Sequence, residues 1–218
     1  DEIISTEDAI NWFDIADVGR AAARFDQAKL DSVNAHYIRA AEDDRLVELI
    51  ATRLERELGE LSRMQRDRLL RAMPGLKPRA KTIVELADKA RFYVAKRPIP
   101  LAADAAKALA PETRQRLGML GAALAPLAEK EWTTSVLEAE LRRFAEREGL
   151  KLGAIAQPLR AALTGSLASP GLFEVMEVLG REESLARIED AAGGQAEKPS
   201  QRAGGLRRLH PGEPHNGF

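Results

Sequence analysis

The chain has 218 residues, 44% hydrophobic and 31% charged, with a formal net charge of −1 and no cysteine. That size suits one large domain or two small ones with a real core. It also excludes a disulfide scaffold, a thiol nucleophile, a Cys-ligated zinc and, for want of ~18 successive apolar residues, a membrane helix.

The charge is unevenly distributed. Residues 1–62 carry 7 Lys or Arg against 15 Asp or Glu, whereas residues 63–97 carry 11 against 3. A +8 window in a near-neutral chain is the footprint expected of a polyanion-binding face. The alternative is that these cations pair with the acidic first third.

The chain opens Asp-Glu-Ile-Ile without a methionine, which reads as a piece of something longer. His36 follows, with no acid or second histidine at helical spacing, and suits a structural or phosphate-contacting role better than a general base. Glu42-Asp43-Asp44 is a carboxylate cluster at a helix start, where acids complement the macrodipole. Leu46, Leu49, Ile50, Leu54 and Leu58 then recur at helical spacing. In Leu76-Lys77-Pro78-Arg79-Ala80-Lys81-Thr82, Pro78 is expected to begin a helix whose outward amides lie beside three cations, an arrangement suited to anions. Pro98-Ile99-Pro100 cannot continue a helix and marks a subdomain boundary.

Leu117, Leu120, Leu124 and Leu127 form the next stripe. Val136, Leu137, Leu141 and Phe144 form another, with Thr133 or Thr134 as N-cap and Gly149 as the stop. Pro158 kinks or restarts a helix over 152–166, where Arg160 stands among apolar neighbours. Ser169-Pro170-Gly171 supplies a cap and an N1 proline ahead of Leu172, Phe173, Met176 and Leu179, and Gly180 ends that helix. From Gly193 onward glycine and proline dominate and a disordered tail is expected, holding two of the three histidines, His210 and His215. No stretch shows sustained period-two alternation, so the fold class is all-α.

The catalytic inventory is poor. There is no phosphate-cradling glycine loop, no His-Glu-x-x-His, no nucleophile elbow and no Asp-x-Asp metal loop. No catalytic residue and no metal ligand is assigned. A lone arginine such as Arg160 is often a snorkelling surface residue, and equally a base-stacking or base-pairing finger.

The string Lys151-Leu-Gly-Ala-Ile-Ala-Gln-Pro-Leu-Arg-Ala-Ala-Leu-Thr-Gly-Ser166, followed by Ser169-Pro-Gly-Leu-Phe-Glu-Val-Met176 and Leu179-Gly180, closely resembles the C-terminal anticodon-binding region of bacterial glutamyl-tRNA synthetases. Phe25-Asp26, Lys29-Leu30, Asn34 to Arg39 and Glu131-Trp132-Thr133 extend the resemblance, which covers about residues 1–192. It implies an all-α anticodon-binding region of two helical subdomains, 42–100 and 101–192, preceded over 1–41 by the end of a stem-contact region. It also implies a parent enzyme that uses ATP and magnesium to attach glutamate to tRNA(Glu). The His-Ile-Gly-His-like and Lys-Met-Ser-Lys-Ser-like motifs of that chemistry do not occur here. No cofactor is therefore expected in this chain, and the chain alone is expected to be inactive as a ligase.

Carried over residue by residue, Arg79 matches the family arginine that reads the third anticodon base, and Arg160 the one packing on the first bases. Ser169, Pro170 and Leu172 match the loop enclosing those bases, and Lys29 a residue facing the tRNA backbone. Lys77 and Lys81 flank Arg79 as point charges suited to phosphates. Three positions depart from the pattern: Ser169 stands in place of Thr, Ser32 in place of Trp, and Ala35 in place of a common Gly. The implied partner is the anticodon arm of tRNA(Glu), with no membrane, a monomeric state and a cytoplasmic location. The competing reading is a helical protein-interaction scaffold derived from a synthetase, without RNA binding.

Overall fold

The computed structural model describes residues 3–19 and 25–193. Among them are eleven α-helices and no strand: α1 (Thr6–Trp12), α2 (Gln27–Ala40), α3 (Asp43–Leu58), α4 (Arg63–Leu76), α5 (Ile83–Val94), α6 (Ala103–Ala108), α7 (Pro111–Leu124), α8 (Thr134–Arg147), α9 (Leu152–Thr164), α10 (Leu172–Leu179) and α11 (Arg181–Ala192). The all-α expectation holds. The expected disordered tail lies outside the described residues, apart from Gly193.

The apolar periodicity decides which faces turn inward. Leu46, Val47, Ile50, Ala51 and Leu54 of α3 are buried, while Leu49 stays 47% exposed because it falls off that stripe. Leu117, Leu120 and Leu124 of α7 and Leu137, Leu141 and Phe144 of α8 are buried as their spacing demands. Helices α3, α4 and α5 pack on one another, and α7 to α11 form a second group that α6 joins against α9. Helix α10 packs on both α4 and α9, so one apolar cluster runs from Ile38 to Ile188 across the break at Pro98-Ile99-Pro100. In the second group the buried indole of Trp132 donates to the Met176 carbonyl at 3.0 Å, tying α10 to the segment before α8.

Caps set several boundaries. Ser62 and Gln65 form a reciprocal capping box on α4, and the Gln65 amide also donates to the last carbonyl of α5, that of Val94, at 2.8 Å. One expected cap, Thr133, holds its place without its side-chain bond, and one differs. Thr133 precedes α8, but its side chain makes no cap bond. Instead Glu177 accepts from the Thr134 amide at 2.7 Å and from its hydroxyl at 2.5 Å. Helix α10 begins at Leu172 behind Gly171, so Pro170 is not its N1 residue and Ser169 not its cap. The Ser169 hydroxyl is drawn elsewhere, to Arg160 and the Pro170 carbonyl.

Helix α9 runs through Pro158 without a break, and its end is built with care. Gly165 has φ +73°, the left-handed conformation that closes many helices. Its carbonyl accepts from the Ala102 amide at 2.8 Å, and its Cα faces the Pro100 carbonyl. The Thr164 hydroxyl donates to the Arg160 carbonyl at 2.9 Å, and the buried Arg187 guanidinium donates to the Leu163 carbonyl at 2.6 Å. Arg187 also pairs with Glu183 at 2.7 Å, one turn back along α11. A cation at a helix C-terminus thus satisfies a carbonyl that has no intrahelical partner. Gly165 thereby fixes the 98–102 linker against the end of α9.

Candidate nucleic-acid interface

The charged window does not form one basic face. Arg66 pairs with Glu48 at 3.3 Å and Glu55 at 2.6 Å, Lys77 with Asp43 at 2.8 Å, and Arg91 with Glu57. Lys89 pairs with Glu85 at 2.7 Å, and Arg97 with Asp190 at 3.2 Å. Arg68 is buried and donates to the Tyr93 carbonyl at 3.1 Å. Three of the window's cations, Arg66, Lys77 and Arg91, are thus taken up by the acidic first third. Among the described residues Arg79 and Lys81 make no side-chain ion pair.

Arg79 ends a 3-10 turn, Lys77–Arg79, that continues directly from α4. Pro78 therefore lies in a 3-10 helix and does not begin an α-helix. The next one, α5, starts at Ile83 behind the Thr82 cap, and no row of helix N-terminal amides lies beside Arg79. The turn is nevertheless fixed, since proline locks its own φ and the Ala80 amide closes back onto the Lys77 carbonyl.

Arg160 lies on α9, where its Nη1 donates to the Ser169 hydroxyl and, at 2.7 Å, to the Pro170 carbonyl. The lone arginine thus ties down the loop between α9 and α10. Burial holds its guanidinium below the usual arginine range, and the positive charge of Arg79 pushes in the same direction. Two arginines far apart in sequence thus come close in the fold, since both line the same cleft.

Both line one cleft of about 980 Å³, open between α5, the 95–100 linker and the α9–α10 loop. Its walls mix apolar surface, including Phe92, Ile99 and Leu167, with Gln157 and the Ser169-Pro170 backbone. Of its cations, Lys89 and Arg91 already have carboxylate partners, which leaves Arg79 and Arg160 facing the cleft. The two guanidinium groups suit an acceptor-rich ligand, while the Glu85 and Asp88 carboxylates on the same lining disfavour a densely anionic one. A guanidinium offers only donors, in a planar fork that also stacks on flat rings. The cleft is therefore built for flat, acceptor-bearing groups.

The other sequence-derived residues distribute around it. Ser169 and Pro170 line the cleft. Leu172 is 5% exposed and anchors the same loop from the core side. Lys81 is exposed and lines, together with Arg79, a smaller hollow of about 340 Å³ against α2, where Ser32 and Ala35 also lie. Lys29 is an exposed residue in the first turn of α2, its backbone amide capped by Asp26 at 3.1 Å, and it lines neither hollow. Lys77 does not join them: its side chain is only 16% exposed and its ammonium is taken up by Asp43 and the Ala41 carbonyl. His36 packs edge-on against Tyr37 at 5.5 Å between ring centroids. Phe92, Ile99 and Gln157 were not singled out from the sequence. Nothing in their spacing distinguishes a cleft wall from a helix surface. Among the described residues no group of three or more His, Asp or Glu side chains is placed to hold a metal, and no helix is long and apolar enough to cross a membrane.

Residues 25–192 match the family described as Anticodon binding domain. The chain belongs to the anticodon-binding domain family. Among its relatives, the glutamate–tRNA ligase 2 of Rhodospirillum centenum is 54% identical over 192 residues, and the glutamate–tRNA ligase of Bradyrhizobium diazoefficiens 50% over 198. Each alignment covers 88% of this chain and 41% of the relative's length, so the chain spans about two fifths of those ligases. The crystal structure of a glutamate tRNA ligase from Elizabethkingia meningosepticum superimposes with a TM-score of 0.73 at 27% identity, over 89% of this chain and 38% of that one. In this anticodon-binding domain, then, the arginine-lined cleft lies inside the region that matches the family.

Proposed function

We propose that the chain is the anticodon-binding part of a glutamate–tRNA ligase, and that its cleft holds the anticodon bases of tRNA(Glu). The observation that carries this is the convergence of Arg79 and Arg160 on one cleft with apolar walls and a fixed backbone rim. In this reading Arg79 meets the third anticodon base through its donor fork. Arg160 packs on the first bases while holding the Ser169-Pro170 loop that encloses them, and Leu172 supports the loop from beneath. Lys81, and Lys29 on the neighbouring helix α2, face the RNA backbone. The names of the relatives support the choice of tRNA. ATP and magnesium would serve the parent enzyme in a part that matches nothing in this chain. The chain alone is thus an RNA-gripping module without ligase activity, acting as one copy in the cytoplasm.

The test is titration of a tRNA(Glu) anticodon stem-loop at two salt concentrations. Neutralising about three phosphates would lower affinity roughly twentyfold over a fourfold rise in salt. Absent or salt-insensitive RNA binding would overturn the proposal and favour a protein-interaction scaffold.

A further inference from the structure

The turn that carries Arg79 is clamped from three directions, by Lys77 and Asn34 from outside the cleft and by Glu85 from its wall. From the turn itself, the Lys77 ammonium donates to the Ala41 carbonyl at 2.6 Å and pairs with Asp43 at 2.8 Å. Ala41 follows the last residue of α2 and Asp43 is the first of α3, so the ammonium sits where a helix C-terminus and a first-turn carboxylate meet. From α2, the Asn34 amide donates to the Lys81 carbonyl at 2.5 Å. From α5, the Glu85 carboxylate accepts from the Lys81 amide at 2.8 Å, while Lys89 holds its other oxygen at 2.7 Å. The peptide groups on both sides of Lys81 are therefore fixed, and Pro78 stiffens the turn before Arg79.

We propose that Lys77, Asn34 and Glu85 are positioning residues that set the direction in which Arg79 leaves the backbone, and so the base preference of the cleft. Lys77 is then not a phosphate contact, because a phosphate would have to displace two short bonds from a largely buried ammonium. The clamp also couples the cleft to α2, which carries Lys29, so that a displacement of α2 reaches the base-reading arginine. The inference rests on the reading of the cleft as an anticodon site.

The variants are Lys77→Met, which keeps the stem and removes the charge, and Asn34→Ala. Two measurements are made on each. In the free protein, amide hydrogen exchange at Ala80 and Lys81 is expected to quicken at least tenfold while exchange in α7 to α9 is unchanged. In stem-loop competition, preference at the third anticodon base is expected to fall about tenfold, the scale of losing an outer support of a functional group. The slope of affinity against salt stays that of wild type. In a double-variant cycle with Arg79→Gln, the loss is expected to be non-additive, since both act through one side chain. Unchanged exchange, or an equal loss for all stem-loops with a slope reduced by about one, would overturn the positioning role and restore Lys77 as a phosphate contact. Failure of the wild-type protein to bind any stem-loop would overturn the anticodon reading itself, and the inference with it.

Discussion

Replacing Gly165 by alanine tests how the cleft is walled. The added methyl would lie 2.2 Å from the Pro100 carbonyl oxygen and 3.1 Å from the Ile99 Cγ2. A side chain held at φ +73° costs about 1–2 kcal/mol, because Cβ crowds the following carbonyl. Relieving the contact means moving backbone, not a side-chain tip, by roughly 1 Å, and overpacking of this kind costs about 1–3 kcal/mol. The Ala102 amide bond to the Gly165 carbonyl is strained in the process, so the whole effect should reach about 3–5 kcal/mol. Urea denaturation reads the stability change directly. Because Ile99 and Pro100 also line the cleft, stem-loop affinity of the still-folded fraction should drop as well. A loss below about 1 kcal/mol would show that the linker does not press on the end of α9, and the reasoning about this wall would be wrong.

Arg160→Ala should weaken stem-loop binding by about 1–3 kcal/mol, the usual loss for a stacked or bidentate base contact, and lower stability by a smaller amount through the freed loop. If stability falls while affinity is untouched, Arg160 is only a loop tie. Glu85 gives a pH test. The Lys89 ammonium, then the Lys81 amide, hold its carboxyl below the usual carboxylate range. A carboxyl lowered in this way adds stability that is present above its unfolded pKa and is lost as pH falls through the folded one. The stability gap between wild type and Glu85→Gln should therefore shrink as pH falls through and below the usual carboxylate range, as followed by urea denaturation at each pH. A constant gap would mean that the carboxylate charge contributes nothing.

Much of this was legible in the sequence, and the misses share a cause. Apolar spacing announces α3, α7, α8 and α10 because helix burial is a one-dimensional pattern. Leu49 falls beside the buried stripe because that stripe runs through Leu46, Val47, Ile50, Ala51 and Leu54, on the other side of Ile50. Pro78 was misjudged because proline fits a 3-10 turn as readily as a helix start. Ser169 resembles an N-cap in sequence, yet in space it meets Arg160, which no local pattern encodes. The charge window signalled nucleic acid, but only three dimensions show that Lys77, Arg66 and Arg91 are consumed by Asp43, Glu48, Glu55 and Glu57. Arg187 gave no signal beyond a Glu183 one turn earlier, although its side chain is buried beside the end of α9. Arg79 and Arg160 were found through the resemblance, and their meeting in one cleft through the fold.

The most direct test of the account is competition between two anticodon stem-loops that differ only at the third base. Cytosine offers its carbonyl and ring nitrogen to a guanidinium, whereas an edge that presents donors does not pair with it. Wild-type protein should prefer the cytosine stem-loop. Arg79→Gln should reduce that preference by about 1–3 kcal/mol, because an amide both donates and accepts. Lys81→Ala should weaken both stem-loops alike and flatten the salt slope by about one. If Arg79→Gln and Lys81→Ala lower both affinities equally, Arg79 is one more cation and the cleft does not read a base.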